Sequence, residues 1–212
     1  MTTLDRKTPF VIGLTGNIAT GKSTVLEYLA GKGAYVIDAD KVAHRTMMPD
    51  GAAYEKIVDE FGAGILTDDG NVDRKALGTI VFEDRDALAR LEAIVHPATF
   101  ELTRWEMSQS QADIIILEAI KLLESGRIIT LCDDIWVVTS RPTTQMKRLT
   151  EMRGMDETEV RNRMAAQSPQ AEKVAEADHV IDNDSNLDEL YAQLDRLWDS
   201  VTERIRLASV GT

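Results

Sequence analysis

The sequence predicts an α/β fold with a mostly parallel, five-stranded sheet flanked by helices. The first observation is that five apolar runs of strand length alternate with helical patterns. The second is that these runs are almost continuously apolar, which is typical of parallel strands buried on both faces. The predicted strands cover residues 10–14, 35–37, 114–117, 135–139 and 179–182.

A phosphate-loop motif, G-x-x-x-x-G-K-[ST], lies between the first predicted strand and a helical pattern over 24–31. Its glycines let successive backbone N–H groups point inward, and the following helix adds the positive end of its dipole. The motif therefore predicts a cradle for the phosphates of a nucleoside triphosphate, with a glycine-rich turn before an ordinary helix as the alternative. The predicted nucleotide-binding residues of this segment are Gly16, Asn17, Ile18, Ala19, Thr20, Gly21, Lys22, Ser23 and Thr24.

Two side chains at the end of the motif carry its chemistry. Lys22 is expected to reach the outer phosphates and to act in catalysis, and the Ser23 hydroxyl is expected to ligate Mg²⁺. The motif thus implies a nucleoside triphosphate and a magnesium ion, and leaves open what receives the phosphate.

Two carboxylates follow the second predicted strand, at the edge of the sheet where ligands of such folds bind. An acid there can accept the proton of an acceptor hydroxyl, or hold that hydroxyl in line with the γ-phosphate. Asp38 ends the strand directly and is the predicted catalytic acid, with a plain strand-end aspartate as the alternative. Asp40 is well placed to N-cap the next helix.

A long helical insertion is predicted after the second strand. More than seventy residues separate Asp40 from Asp113, whereas a crossover between parallel strands needs only about a dozen. Apolar residues recur at helical steps over 54–61 and 88–95, so residues 41–110 are predicted to form a helical, substrate-binding insertion. Within it, His96 precedes Pro97, where we expect a helix break or bend.

A second helical excursion covers residues 141–176 and is the predicted lid. The core of this single domain, residues 1–212, is then 8–40, 111–140 and 177–207. Residues 141–167 hold six basic side chains against four acidic ones, which makes them a candidate phosphate clamp. A parallel sheet with a phosphate loop and two helical excursions predicts a kinase with a substrate-holding insertion and a lid.

The last helix has a predicted apolar core stripe, and acidic residues occupy its other side. Residues 176–203 hold nine acidic side chains and one basic side chain, as expected of a solvated face. The stripe consists of Leu187, Leu190, Leu194, Leu197, Val201 and Ile205.

Composition narrows the class of protein. The chain has 212 residues, of which 43% are apolar, so it can bury a real core. Its net charge of −12 argues against nucleic acid or an anionic membrane as a partner, because such binding needs a basic surface. A single cysteine, Cys132, excludes an internal disulfide, and we expect a cytoplasmic protein with a buried or half-buried thiol.

These motifs together resemble the dephospho-CoA kinase family. The phosphate loop alone fits many kinases, but D-A-D, the D-G-x-x-D-R segment, a late H-P and A-D-x-V-I-D-N make the combination specific. The resemblance covers nearly the whole chain. The matching segments are residues 13–23, 36–40, 61–62, 69–74, 81–82, 91–97, 145–149, 163–167 and 177–183.

The resemblance implies a P-loop kinase fold and the last step of coenzyme A biosynthesis. In this step the γ-phosphate of ATP passes to the ribose 3′-hydroxyl of dephospho-CoA, with Asp38 as base or hydroxyl-orienting group. It places Arg148 and Asn183 near the adenine of ATP, and Arg163 on the lid beside the transferring phosphoryl group. Arg74 and His96 are its candidate contacts for dephospho-CoA.

The chain departs from the family pattern in three places. The family usually has glycine at Asn17 and Ala19; alanine adopts left-handed angles poorly, so we expect helical or extended angles at Ala19. The cradle should still form, since the two fixed glycines of the motif remain. The family's P-L-L-[FV]-E segment is replaced by residues 121–124, which puts the conformation of the loop after the third strand in question. Ser185 stands where a glycine commonly follows the D-N pair of the family.

Two rival functions remain open from the sequence. One is a kinase of another small acceptor, such as a nucleotide or a sugar acid, with the same core and a different insertion. The other is a nucleotide-binding module or ATPase that has no acceptor.

Overall fold

Five strands form one sheet in a computed structural model that describes residues 8–123 and 127–210. They lie where the apolar runs predict them, and their order in the sheet is β2-β3-β1-β4-β5. β1 pairs in parallel with β3 and β4, and β4 pairs in parallel with β5, which confirms the predicted α/β class. The strands are β1 (Phe10–Thr15), β2 (Tyr35–Asp38), β3 (Ile114–Glu118), β4 (Asp134–Thr139) and β5 (His179–Asp182).

Nine α-helices connect and flank the strands within the described residues, together with two 3₁₀ turns at Ala63–Ile65 and Ile128–Leu131 and a π-helix at Arg148–Met152. The α-helices are α1 (Lys22–Gly31), α2 (Ala39–Thr46), α3 (Tyr54–Phe61), α4 (Arg74–Glu83), α5 (Arg85–Gln109), α6 (Pro142–Lys147), α7 (Glu157–Ala165), α8 (Gln170–Ala175) and α9 (Leu187–Val210). None of these helices combines the length and apolar character needed to cross a membrane.

The chain divides into two compact units. The described part of the first, here called the sheet unit, is residues 8–36, 111–123 and 132–210. Its core packs the central strands against α1 and α9, and Trp136 is fully buried in it. The predicted stripe on α9 contributes Leu190, Leu194 and Val201 to this core. Leu187 is an exception, since it is 53% exposed in the first turn of the helix.

The second unit, here called the helical unit, is residues 37–110 and 127–131 of the described chain. Helices α2 to α5 form it, and its buried cluster includes Ile57, Leu77 and Val95. The helices predicted from apolar periodicity over 54–61 and 88–95 are confirmed as α3 and part of α5. Of the two expectations for Pro97, the helix break is wrong, because α5 continues through the proline, and the bend stays a prediction. A proline removes one helix hydrogen bond, and the side chains of Val95 and Phe100 on either side of it are buried.

Close packing explains one glycine of the central strand. A Cβ on Gly13 would lie 2.7 Å from Leu122 and 2.8 Å from the Cys132 sulfur. Cys132 is half-buried, as expected, and burial together with the negative charge of Asp133 raises the pKa of its thiol to about 12. The thiol is therefore a packing group and a poor nucleophile.

Candidate nucleotide and phosphoryl-transfer site

The phosphate loop runs from Gly16 to Gly21 between β1 and α1. Neither of the two fixed glycines leaves room for a side chain. A Cβ on Gly16 would lie 2.4 Å from the Val138 carbonyl oxygen, and a Cβ on Gly21 would lie 2.0 Å from the Asn183 Nδ2. Gly21 also has a φ of +96°, a left-handed angle that glycine adopts without strain, and it caps the start of α1.

The conformation of Ala19 differs from the expected one. Its φ is +58°, so the prediction of helical or extended angles is wrong at this position. Among the described residues, Ala19 is the only one other than glycine with a positive φ. The left-handed angle costs an L-residue about 1–2 kcal/mol. The surrounding structure holds it there, because the Ala19 carbonyl oxygen accepts a hydrogen bond from Arg148 Nη1 at 3.0 Å.

Arg148 and Asn183 bind the phosphate loop from two sides. Arg148 Nη2 also donates to the Asn183 carbonyl oxygen at 2.7 Å, so one guanidinium joins the loop to the end of β5. The Asn183 side chain is buried, and its Nδ2 donates to the Thr20 carbonyl oxygen at 2.8 Å. The structure thus brings these two sequence-predicted residues together with the loop, and they fix the positions of its carbonyl groups.

Lys22 begins α1 and turns back over the loop. Its Nζ donates to the Gly16 carbonyl oxygen at 2.8 Å and lies 3.9 Å from Glu118 Oε1. Glu118 ends β3 and is only 8% exposed. Glu118 is not among the site residues predicted from the sequence, although it shares the signal of Asp38, a carboxylate directly after an apolar run.

The remaining motif residues occupy the start of α1. Ser23 is exposed and Thr24 is half-buried, and the Thr24 N–H donates to the Gly21 carbonyl oxygen at 3.1 Å. Thr20 is fully buried, and its hydroxyl donates to the Asn17 carbonyl oxygen at 2.9 Å. These local bonds close the loop on itself, so the helix begins directly behind it.

Asp38 lies in the helical unit, where it ends β2 and N-caps α2. Its Oδ1 accepts a hydrogen bond from the Lys41 N–H at 3.0 Å, and its Oδ2 lies 3.0 Å from Lys41 Nζ. The expected N-cap, Asp40, lies instead in the first turn of the helix. The prediction was wrong because α2 begins directly after the strand, at Ala39, which leaves the cap position to Asp38.

The other two candidate substrate contacts also lie in the helical unit. Arg74 is the first residue of α4 and His96 lies within α5, and both are exposed. No hydrogen bond or ion pair of the described residues joins Asp38, Arg74 and His96 to one another. Arg74 and His96 are thus open to solvent, and the Asp38 side chain is partly exposed.

Arg163 lies on α7 and is exposed. Its Nη2 donates to Glu159 Oε1 at 2.7 Å, one helical turn earlier. Asp156 caps this helix by accepting hydrogen bonds from the Thr158 and Glu159 N–H groups, and these bonds lower the pKa of the Asp156 carboxyl. A salt bridge of this exposed kind is weak, so Arg163 can exchange Glu159 for another anion.

Two of the three departures from the family pattern lie in the loops that follow β3 and β5. In the segment 121–124, Leu122 is fully buried, and Glu124 lies outside the described residues. Ser185 follows Asp184, whose carboxylate accepts a hydrogen bond from the Arg141 N–H at 2.8 Å. Ser185 itself is exposed.

A family model for dephospho-CoA kinase matches residues 10–189, which include every sequence-predicted site residue. The chain belongs to the dephospho-CoA kinase family. The resemblance stated from the motifs is therefore confirmed. A dephospho-CoA kinase of Geobacter sulfurreducens is 43% identical over 191 residues, which is 89% of this chain and 96% of the relative. A dephospho-CoA kinase of Streptomyces avermitilis is 40% identical over 91% of this chain and 94% of its own length.

Solved structures agree with the family and the fold. A Thermus thermophilus protein, TT1252, is 32% identical with a TM-score of 0.79, over 92% of this chain and 98% of its own. A dephospho-CoA kinase from Campylobacter jejuni is 26% identical with a TM-score of 0.65, over 91% of this chain and 97% of its own. A shikimate kinase from Bacteroides thetaiotaomicron, at 15% identity and a TM-score of 0.51, shares the fold alone. The predicted P-loop kinase fold is confirmed.

Proposed function

We propose that this chain is a phosphotransferase that transfers the γ-phosphoryl group of ATP to the ribose 3′-hydroxyl of dephospho-CoA. The products are coenzyme A and ADP, and the reaction is the final step of coenzyme A biosynthesis. The observation that carries the proposal is a phosphate loop clamped by Arg148 and Asn183 in a member of the dephospho-CoA kinase family. No observation favours another small acceptor or an ATPase without an acceptor.

The nucleotide side of the reaction belongs to the loop and its clamp. Backbone N–H groups of the phosphate loop other than that of Ile18, which donates to Gln167, and the dipole of α1 attract the phosphates. Lys22 moves its ammonium group from the Gly16 carbonyl oxygen, 2.8 Å away, to the outer phosphates. Arg148 and Asn183 lie beside the adenine in this proposal, and their bonds to the loop support a shared role in ATP binding.

The residues near the loop also fit a magnesium ion. Mg²⁺ prefers hard oxygen ligands and is usually held by one or two side chains plus substrate phosphates. The exposed Ser23 hydroxyl and the Glu118 carboxylate, which lies 3.9 Å from Lys22, are side chains of this chemistry. When bound, the ion would offset the negative charge of the phosphate oxygens. Ser23 is the proposed ligand, with Glu118 as a second.

The acceptor side is assigned to the helical insertion, residues 41–110, and to Asp38 before it. The 3′-oxygen attacks the γ-phosphorus, the bond from that phosphorus to the bridging oxygen of ADP breaks, and the hydroxyl proton passes to Asp38. The partial exposure of the Asp38 side chain, 27%, supports access for the acceptor. Arg74 and His96 are proposed as contacts for the rest of dephospho-CoA, and their exposure is compatible with this role.

Arg163 is assigned to the transferring phosphoryl group. It lies in the proposed lid, residues 141–176, and its weak pair with Glu159 supports an exchange when the lid closes. A guanidinium at the phosphoryl group offsets the charge of the transition state. The cytoplasm as location, and a small molecule rather than nucleic acid or membrane as partner, are parts of the same proposal.

Purified protein with ATP and Mg²⁺ tests the proposal against a panel of acceptors. We expect ADP release that depends on dephospho-CoA, and phosphorus NMR of the product should show a new phosphomonoester on the ribose 3′-oxygen. AMP and gluconate serve as matched acceptors for the rival kinases. ADP release with either of them but not with dephospho-CoA, or slow hydrolysis that no acceptor changes, would contradict the proposal.

A further inference from the structure

Residues 167–173 lie across the ends of three neighbouring strands in the sheet unit, and we call them the strap. They connect α7 to α8 and include the start of α8. β3, β1 and β4 are adjacent in the sheet, and each is followed by a loop at its carboxyl end. Each of these three loops forms a hydrogen bond with a different side chain of the strap.

The first contact is made with the phosphate loop. The Ile18 N–H donates to Gln167 Oε1 at 2.7 Å. Next to it, Asn17 Nδ2 donates to the Ser168 carbonyl oxygen at 3.2 Å. Asn17 is 9% exposed, so this second bond is shielded from water. The strap therefore holds two consecutive residues of the loop.

The second contact is made with the loop after β4. The Ser140 N–H donates to Gln170 Oε1 at 3.3 Å. Gln145, which is 4% exposed, supports this contact from α6 by donating its Nε2 to the Ser140 carbonyl oxygen at 2.7 Å. Both backbone groups of Ser140 are thus bonded, and the residue is buried.

The third contact is made with the loop after β3. Lys173 is only 2% exposed, and its Nζ donates to the Ile120 carbonyl oxygen at 2.9 Å. The Thr15 hydroxyl of β1 donates to the same oxygen at 3.2 Å. A lysine is almost never buried so completely unless it is paired, so its ammonium group has a specific position here.

We propose that Gln167, Gln170 and Lys173 are positioning residues that hold the phosphate loop and the two neighbouring loops in the geometry that binds ATP. In the bonds of these three residues the strap supplies a side-chain atom and the loop supplies a backbone atom. Backbone groups of the loop are also what binds phosphate, so fixing the backbone in advance lowers the entropy lost on binding. The inference rests on the ATP binding of the proposed function and assigns a new role to the strap.

Gln167 gives the sharpest test because its bond reaches the phosphate loop itself. Gln167→Met keeps the length of the side chain and removes the acceptor, and Gln167→Glu keeps an acceptor. Glu172→Gln is the matched control, since Glu172 is an exposed strap residue whose side chain makes no hydrogen bond or ion pair among the described residues. Calorimetry with ADP and Mg²⁺ measures nucleotide affinity without an acceptor, and NMR hydrogen exchange reports on the Ile18 amide.

For Gln167→Met we expect the ADP dissociation constant to rise about 5–10-fold, the usual effect of one lost hydrogen bond. The Ile18 amide should exchange faster, and Gln167→Glu should restore its slow exchange. The KM for ATP should rise by a similar factor while kcat stays within about threefold. The control should leave the dissociation constant and the exchange rate unchanged.

A purely structural role would lower Tm and leave the ADP dissociation constant of the folded protein at the unmodified value, and that result would overturn the inference. If Gln167→Met does not fold, Gln170→Met carries the same test with the Ser140 amide as reporter. The proposed function fails separately, if the unmodified chain binds ADP but does not phosphorylate dephospho-CoA. An unmodified chain that is active, with variants that bind ADP equally well, rejects the strap alone.

Discussion

The sheet unit and the helical unit hold their candidate functional residues in different ways. Around the phosphate loop, Lys22, Arg148 and Asn183 are buried or half-buried and are bonded to the backbone of the loop. In the helical unit, Arg74 and His96 are exposed on separate helices. Each of these two helices presents its own residue to solvent, and within the described residues no hydrogen bond or ion pair joins the two side chains.

This difference reflects two kinds of binding. Phosphates carry the same charge and geometry in every reaction cycle, so a rigid cradle of backbone groups suits them. A long, flexible acceptor is better recognised by separate contacts on a surface. We therefore expect substitutions around the loop to change nucleotide affinity and stability together, and substitutions in the helical unit to change turnover with little effect on either.

Asp38→Asn should have the largest effect and tests the helical unit. We expect turnover to fall by about 10²–10⁴, the usual contribution of a positioned acid or base, with ADP affinity nearly intact. Stability should hold, since asparagine N-caps a helix as well as aspartate does. Steady-state kinetics and thermal unfolding provide the measurements. Asp84→Asn is the control, because Asp84 N-caps α5 in the same unit; equal losses in both variants would make Asp38 structural.

Lys22→Met should follow, and it tests the loop. The substitution removes the positive charge that faces the phosphates. It should lower kcat by about 10²–10³ and also weaken ADP binding, in contrast to Asp38→Asn. Kinetics and calorimetry with ADP separate the two effects. Lys75→Met removes an exposed lysine of α4 and should change neither. An undisturbed ADP affinity in Lys22→Met would remove the contrast between the units.

Gly21→Ala tests how rigid the cradle is. The added methyl group would lie 2.0 Å from Asn183 Nδ2 at a φ of +96°, so we expect a loss of about 1–3 kcal/mol in the free energy of unfolding. Gly31→Ala is the control, because a Cβ there meets nothing within 4 Å at the end of α1. It should be neutral or slightly stabilising. Urea unfolding measures the free energy of unfolding of both variants. Equal values would show that the phosphate loop can adjust to the added methyl group and is not rigid.

Arg148→Lys should have the smallest effect. Lysine cannot donate to the Ala19 and Asn183 carbonyl oxygens in the fixed fork geometry of arginine, so one bond is lost. We expect the KM for ATP to rise about tenfold, with the KM for the acceptor unchanged. Arg161→Lys, on the exposed face of α7, should have no effect on either constant. If the KM for the acceptor rises instead, Arg148 contributes to acceptor binding and not to ATP binding.

Much of the fold and part of the site could be predicted from local sequence. Apolar runs located all five strands. Burial on both faces explains the runs of β1, β3 and β4, whereas the edge strands β2 and β5 are only partly buried. The phosphate loop was predictable because its glycines, lysine and serine are adjacent in the chain. The conformation of Ala19 was not, since its left-handed angle depends on Arg148, which lies 129 residues away. The N-cap of α2 is Asp38, two residues before the predicted Asp40, because the start of a helix depends on where the preceding strand ends.

By itself, then, the sequence determined the α/β class, the phosphate loop, the family and most of the residues assigned to the reaction. These follow from short patterns and from motifs whose members lie close together in the chain. Only the tertiary structure brought Glu118 to Lys22 and the strap to the loops of three strands. Those contacts depend on the order of the strands in the sheet: Ile18 and Gln167 are 149 residues apart, and they meet because adjacent parallel strands end at one edge.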